Sequence, residues 1–133
     1  MTGGYNIVLQ KIGSLGCGAG NPNGFLTSLD NAGYSQMRTM TLGGASCSSQ
    51  SVSTALNPNQ WHSLVYVFNN TSGAAYFYVN GNLLRSVNMP SGDLSNTQNL
   101  IIGFYMKGYL DDVRLYNRTL SPAEISAIYN VTR

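Results

Sequence analysis

The sequence predicts an all-β fold, an antiparallel sandwich that ends in one short C-terminal helix. Three observations predict it. Short runs rich in aromatic and β-branched residues recur between polar, turn-forming stretches. The pair Asn80-Gly81 joins two such runs, and Asn-Gly best tolerates the positive φ angles of a tight hairpin turn. Finally, Ser121-Pro122-Ala123-Glu124 spells out a capped helix start.

The first half is the less legible. Tyr5 to Ile12 reads as a strand with a polar break at Gln10-Lys11, and Gly13 to Gly24 as a Gly- and Asn-rich loop. Phe25 to Leu29 and Gln36 to Leu42 follow as strands. Gly43 to Gln50 reads as a polar loop, and Val52 to Leu56 as a short strand before Asn57-Pro-Asn-Gln60. No internal repeat at solenoid or propeller spacing is present.

The second half shows its joints. Trp61 to Phe68 is apolar on both alternating faces, which predicts a central strand covered on both sides. Asn69 to Gly73 forms a five-residue connection to Ala74 to Val79. Leu83 to Val87 returns from the Asn80-Gly81 turn, and Tyr76 with Tyr78 forms either an exposed stripe or a face against a neighbour. Pro90 to Asp93 breaks the pattern. Leu100 to Phe104 and Tyr109 to Tyr116 read as two more strands, the second apolar on both faces. In the helix, Ser121 is the N-cap, Pro122 the first helical residue and Glu124 the partner in a capping box. Leu120 and Ile125 occupy staple positions, while Ile125, Ile128 and Tyr129 share the apolar face.

Composition bounds the function. At 133 residues the chain (1–133) reads as one domain with room for a real core. Charged residues make up only 9%, so Asn, Ser, Thr and Gly carry the surface. The net charge is +2, and the two lysines and scattered arginines form no basic stripe, which argues against nucleic acid as a partner. No apolar run approaches a membrane span, and Met1 to Tyr5 is not a signal peptide. A neutral polar surface suits an extracellular or cell-surface protein. Cys17 and Cys47 lie in Gly/Ser-rich loops and are either one disulfide or two free thiols. With one histidine beside them, they make a zinc site unsupported.

A family likeness rests on a series of motifs. They are Trp61-His62; Tyr76 to Val79 with Asn80-Gly81; Leu100 to Gly103; Gly108 to Arg118; and Leu120-Ser121 with Glu124 and Ile128-Tyr129. This series resembles the laminin-G-like branch of the concanavalin A-like lectins and glucanases, closely over residues 57–129 and loosely over 5–56. The resemblance implies a jelly-roll sandwich and a glycan-binding or adhesion module. Members of the family normally open with two or three further strands before the segment matching Tyr5. The chain therefore reads as N-terminally short, and the expectation is a homo-oligomer in which a second copy covers the missing strands.

Catalysis is not expected. Hydrolases of this fold set two or three carboxylates close together, whereas Glu124 is explained by the helix cap. Asp111 and Asp112, read as neighbours on a strand, point to opposite faces. Asp30 and Asp93 sit in turn-like contexts, and His62 lacks a nucleophile elbow around any serine. A glycoside hydrolase is thus the third reading, behind a binding module and a structural or assembly domain. The resemblance raises Ca²⁺ as a cofactor, with Asp111 or Asp112 as a ligand; the alternative is that this carboxylate anchors backbone. Candidate ligand-binding residues are Tyr34, Tyr105, Lys107 and Tyr109.

Overall fold

The structure, a computed structural model, describes residues 6–13, 17–41 and 46–132. The expectations at Tyr5, at Leu42 and over residues 43–45 lie outside the described residues. Among the described residues eight strands and a helix follow in order: β1 (Asn6–Lys11), β2 (Gly24–Leu29), β3 (Tyr34–Thr41), β4 (Ser46–Ala55), β5 (Leu64–Phe68), β6 (Ala74–Val79), β7 (Asn82–Asn88), β8 (Ile101–Ile102) and α1 (Pro122–Thr132). They build a five-stranded sheet, β4-β3-β2-β1-β8, and a three-stranded sheet, β5-β6-β7. Every pairing is antiparallel.

The sheets enclose Met37 and Val52 from one side and Ala75 and Phe77 from the other, with Met89 beside them. Tyr66 meets Phe77 edge-on, ring centroids 5.9 Å apart at 78°. The Tyr66 hydroxyl lies 2.6 Å from Ser35 Oγ and ties β5 to β3 across the core. Although Tyr66 is only half-buried as a whole, its hydroxyl end is inside, and burial pushes the phenol up to about 12. The opposite face of the three-stranded sheet carries Val67 and Tyr78, which α1 covers with Ile125. The far face of the five-stranded sheet buries Ile12, Leu26 and Met40 against Cys47. Cys17 and Cys47 are joined in a disulfide there. Closing a loop with a sequence separation of 30 stabilises the fold by about 3–4 kcal/mol on chain-entropy grounds.

The Asn80-Gly81 turn forms as its residues require, with φ of 51° and 77°. A Cβ on Gly81 would also meet the Tyr129 ring at 2.9 Å, so the hairpin tip packs on the helix. The capping box is complete. Ser121 Oγ accepts from the Glu124 N–H at 3.2 Å, and the Glu124 carboxylate accepts from the Ser121 N–H at 2.8 Å. The Arg118 guanidinium reaches that carboxylate at 2.7 Å.

Several expectations are corrected. The strand drawn from Trp61 begins only at Leu64 and lies at a sheet edge, not at the centre. Its first residues bond loop groups instead: a His62 ring nitrogen lies 2.9 Å from the Asn57 carbonyl, and the Ser63 N–H donates to Asn80 Oδ1. Trp61 is left 70% exposed. The strand over Leu100 to Phe104 shrinks to two residues because positive φ at Gly103 and Tyr105 turns the chain. The strand over Tyr109 to Tyr116 does not form; Asp112 takes a φ of 54° and no neighbour offers a ladder. Asp111 and Asp112 are therefore not alternate residues of a strand. Conversely, β4 begins at Ser46, inside the expected loop, because β3 presents a full edge to it. Tyr78 is buried under α1 and Tyr76 is half-buried, so they form no exposed stripe.

Candidate ligand-binding rim

The candidate site grows out of β1 and β8. Beyond β8 the chain stays pinned to β1: the Gly103 N–H donates to the Val8 carbonyl at 3.0 Å, and the Ile7 N–H to the Phe104 carbonyl at 3.0 Å. Asn6 Oδ1 then accepts from the Lys107 N–H at 2.9 Å. Three bonds from one strand thus hold residues 103–107 in place. Held this way, Tyr105 adopts a φ of 54°, costly for a bulky side chain.

The loop spends that constraint on display. The Phe104 and Tyr105 rings meet at a tilt of 51°, their centroids 4.3 Å apart. Tyr105 is 77% and Tyr109 85% exposed, and Lys107 is exposed between them. Tyr34 lies at the same end of the five-stranded sheet, since Ser35 pairs Leu29 and Leu29 pairs Asn6. It is two strands away from β1 and half-buried, so it borders the rim without joining the aromatic group. Phe104 was missed in the sequence because it reads as the end of a strand; Gly103 before it was the available signal of a turn.

The acidic residues are each committed locally. Asp111 Oδ1 accepts from the Asp112 N–H at 2.8 Å. Both oxygens of Asp112 face the Arg114 fork at 3.1 Å. Calcium needs six to eight oxygens, and an Asp112 so engaged, beside a guanidinium, does not fit that role. Among the described residues no group of three His, Cys, Asp or Glu side chains converges as a metal site would require. Asp30 accepts from the Ala32 and Tyr34 N–H groups and shapes the β2–β3 turn. Asp93 is held below the usual carboxylate range by bonds from the Ser95 hydroxyl and N–H. Glu124 falls to about 2, first because of Arg118 and then because of the Ser121 N–H.

A second feature lies behind the rim. Between β5 and residues 110–120 runs a cleft of about 1260 Å³. Leu9, Phe25, Thr27 and Met37 form its floor, and α1 borders it with Ile128 and Tyr129.

Two facing antiparallel sheets with a capped terminal helix and a loop-built rim define a sandwich of the lectin type. The chain belongs to the concanavalin A-like lectin/glucanases superfamily, of the laminin-G kind, whose sequence model matches residues 5–126. No curated protein matches the chain. Among solved structures, it is similar to residues 221–444 of an S-layer domain-containing protein from Clostridium thermocellum, at 17% identity and a TM-score of 0.49. That similarity covers 96% of this chain and 64% of the other. Among the described residues no helix is long and apolar enough to cross a membrane.

Proposed function

We propose that the chain is a non-catalytic carbohydrate-binding or adhesion module of an extracellular or surface protein, holding a glycan against the Phe104–Tyr105–Tyr109 rim. The observation that carries the reading is a pinned loop that strains Tyr105 in order to expose it. Exposed tyrosines present an apolar face and a hydroxyl together, which suits the mixed faces of a sugar ring. Loops on a rigid sandwich are the usual carriers of binding. The disulfide and the low charge agree with an oxidising, extracellular setting.

A glycan array, followed by titration of any hit, tests this. Tyr105→Ala and Tyr109→Ala should each weaken binding by about tenfold, the equivalent of roughly 1.4 kcal/mol. Because Arg114 occupies Asp112, a chelator should leave affinity unchanged. Binding that survives both substitutions places the site elsewhere, and an array without a hit removes the glycan reading. A structural or assembly module is the second reading, favoured by the open edge of β5.

A further inference from the structure

Residues 103–107 form the turn of the rim, and a single side chain from β1 closes its far limb. The Met106 N–H donates to the Gly103 carbonyl at 3.4 Å, which makes Tyr105 the third of four turn residues. Positive φ at that position is what glycine or asparagine ordinarily supplies, and Tyr105 holds 54° there. The near limb is tied to β1 through backbone, Gly103 to Val8 and Ile7 to Phe104. The far limb has one tie, from the Lys107 N–H to Asn6 Oδ1 at 2.9 Å. The next hydrogen bonds along the chain stay within residues 111–114. Among the described residues no other hydrogen bond secures the limb that leads from Lys107 to Tyr109.

The same bond fixes which way the Asn6 amide faces. The Lys107 N–H is a donor, so the amide oxygen meets it and the two Nδ2 hydrogens turn the other way. Nδ2 has no hydrogen-bond partner among the described residues, and it is not sealed from solvent. Asn6 is half-buried and its backbone pairs Leu29, so the side chain stands on rigid sheet. A planar amide held this way presents two donors in a fixed direction, at the foot of the loop that displays Tyr105. Lys107 offers donors as well, but on a long, exposed side chain that loses rotamer freedom when it binds.

We propose that Asn6 is both the positioning residue of the rim and one of its ligand-binding residues. Oδ1 holds the far limb so that Tyr105 keeps its displayed conformation. Nδ2 donates to a hydroxyl oxygen of the sugar seated on the Tyr105 ring. A sugar carries acceptor hydroxyls around the edge of an apolar face, so a fixed amide beside an aromatic ring meets both. The binding group is thus assembled from residues 101 positions apart in the chain. The donor role rests on the glycan reading; the positioning role does not.

Two substitutions in the intact chain separate the roles. Asn6→Asp keeps the oxygen and removes the donors, whereas Asn6→Ala removes both. Neither alters the backbone pairing of β1, so thermal melts and amide exchange across β2 should match wild type. At Lys107, exchange should be about tenfold faster in Asn6→Ala and unchanged in Asn6→Asp. The probe for binding is a printed array of neutral oligosaccharides, on which the added aspartate charge meets no opposing charge. Asn6→Asp should bind the wild-type hits about tenfold more weakly, and Asn6→Ala more weakly still. Equal affinity of Asn6→Asp and wild type overturns the donor role. Equal Lys107 exchange in Asn6→Ala and wild type overturns the positioning role. An array without a wild-type hit removes the donor role together with the glycan reading, and Lys107 exchange still decides the positioning role.

Discussion

The stretch from β5 through β7 and the stretch from Tyr109 to Tyr116 carry the same kind of pattern, and only the first becomes sheet. Both alternate aromatic and β-branched residues, and both are apolar on two faces. In the first, two local turns bring each strand back against the last, so every ladder is closed by neighbours in sequence. In the second, no turn delivers a partner, and the chain runs exposed. Alternation makes a segment competent for sheet; a neighbour within 5 Å makes it a strand.

Substitutions sharpen the contrast most. Phe77, 1% exposed at the centre of the closed region, should lose about 3–5 kcal/mol on change to Ala. Leu115→Ala, at a residue 53% exposed in the open region, should cost within about 0.5 kcal/mol. Urea denaturation of the two variants measures both, and a large cost at Leu115 would mean that residues 110–116 are already packed.

A smaller effect tests the tie between β5 and β3. Tyr66 is raised from 10.0 to about 12, so its stabilisation is complete below pH 10 and is lost as the pH rises through 12. Wild type should lose about 2–3 kcal/mol over that window. Tyr66→Phe should be weaker at neutral pH, for want of the Ser35 bond, and lack this share of the alkaline loss. An identical alkaline curve in both proteins would show that the hydroxyl is not buried.

The smallest effect concerns the helix that roofs the closed region. Ser121→Ala removes one cap bond and should cost about 1 kcal/mol. Glu124 is lowered from 4.5 to about 2, so its contribution is present above pH 4.5 and fades as the pH falls through 2. Helical circular dichroism should decline over that acid window in wild type and less so in Glu124→Gln. A flat response in wild type would show that Arg118 and the cap are not engaged in solution.

Legibility in the sequence tracks the distance over which each feature is decided. The Asn80-Gly81 turn and the Ser121–Glu124 box depend on residues within a turn of one another, and both were readable. Tyr109 reads as the start of a strand that does not form, whereas Tyr105 and Lys107 were readable as a loop between two expected strands. Their anchoring to Asn6, Ile7 and Val8 was not, because those partners lie about a hundred residues away in the chain. The edge position of β5 and the exposure of Trp61 were misread for the same reason.

By itself, then, the sequence determined the meander, its turns, the capped helix and the family. Each follows from φ preferences, caps and alternation that act over a few residues. Only the tertiary structure decided which alternating runs find partners and that a cleft opens between β5 and residues 110–120. Those outcomes depend on which segments meet in space, and no local preference encodes the meeting.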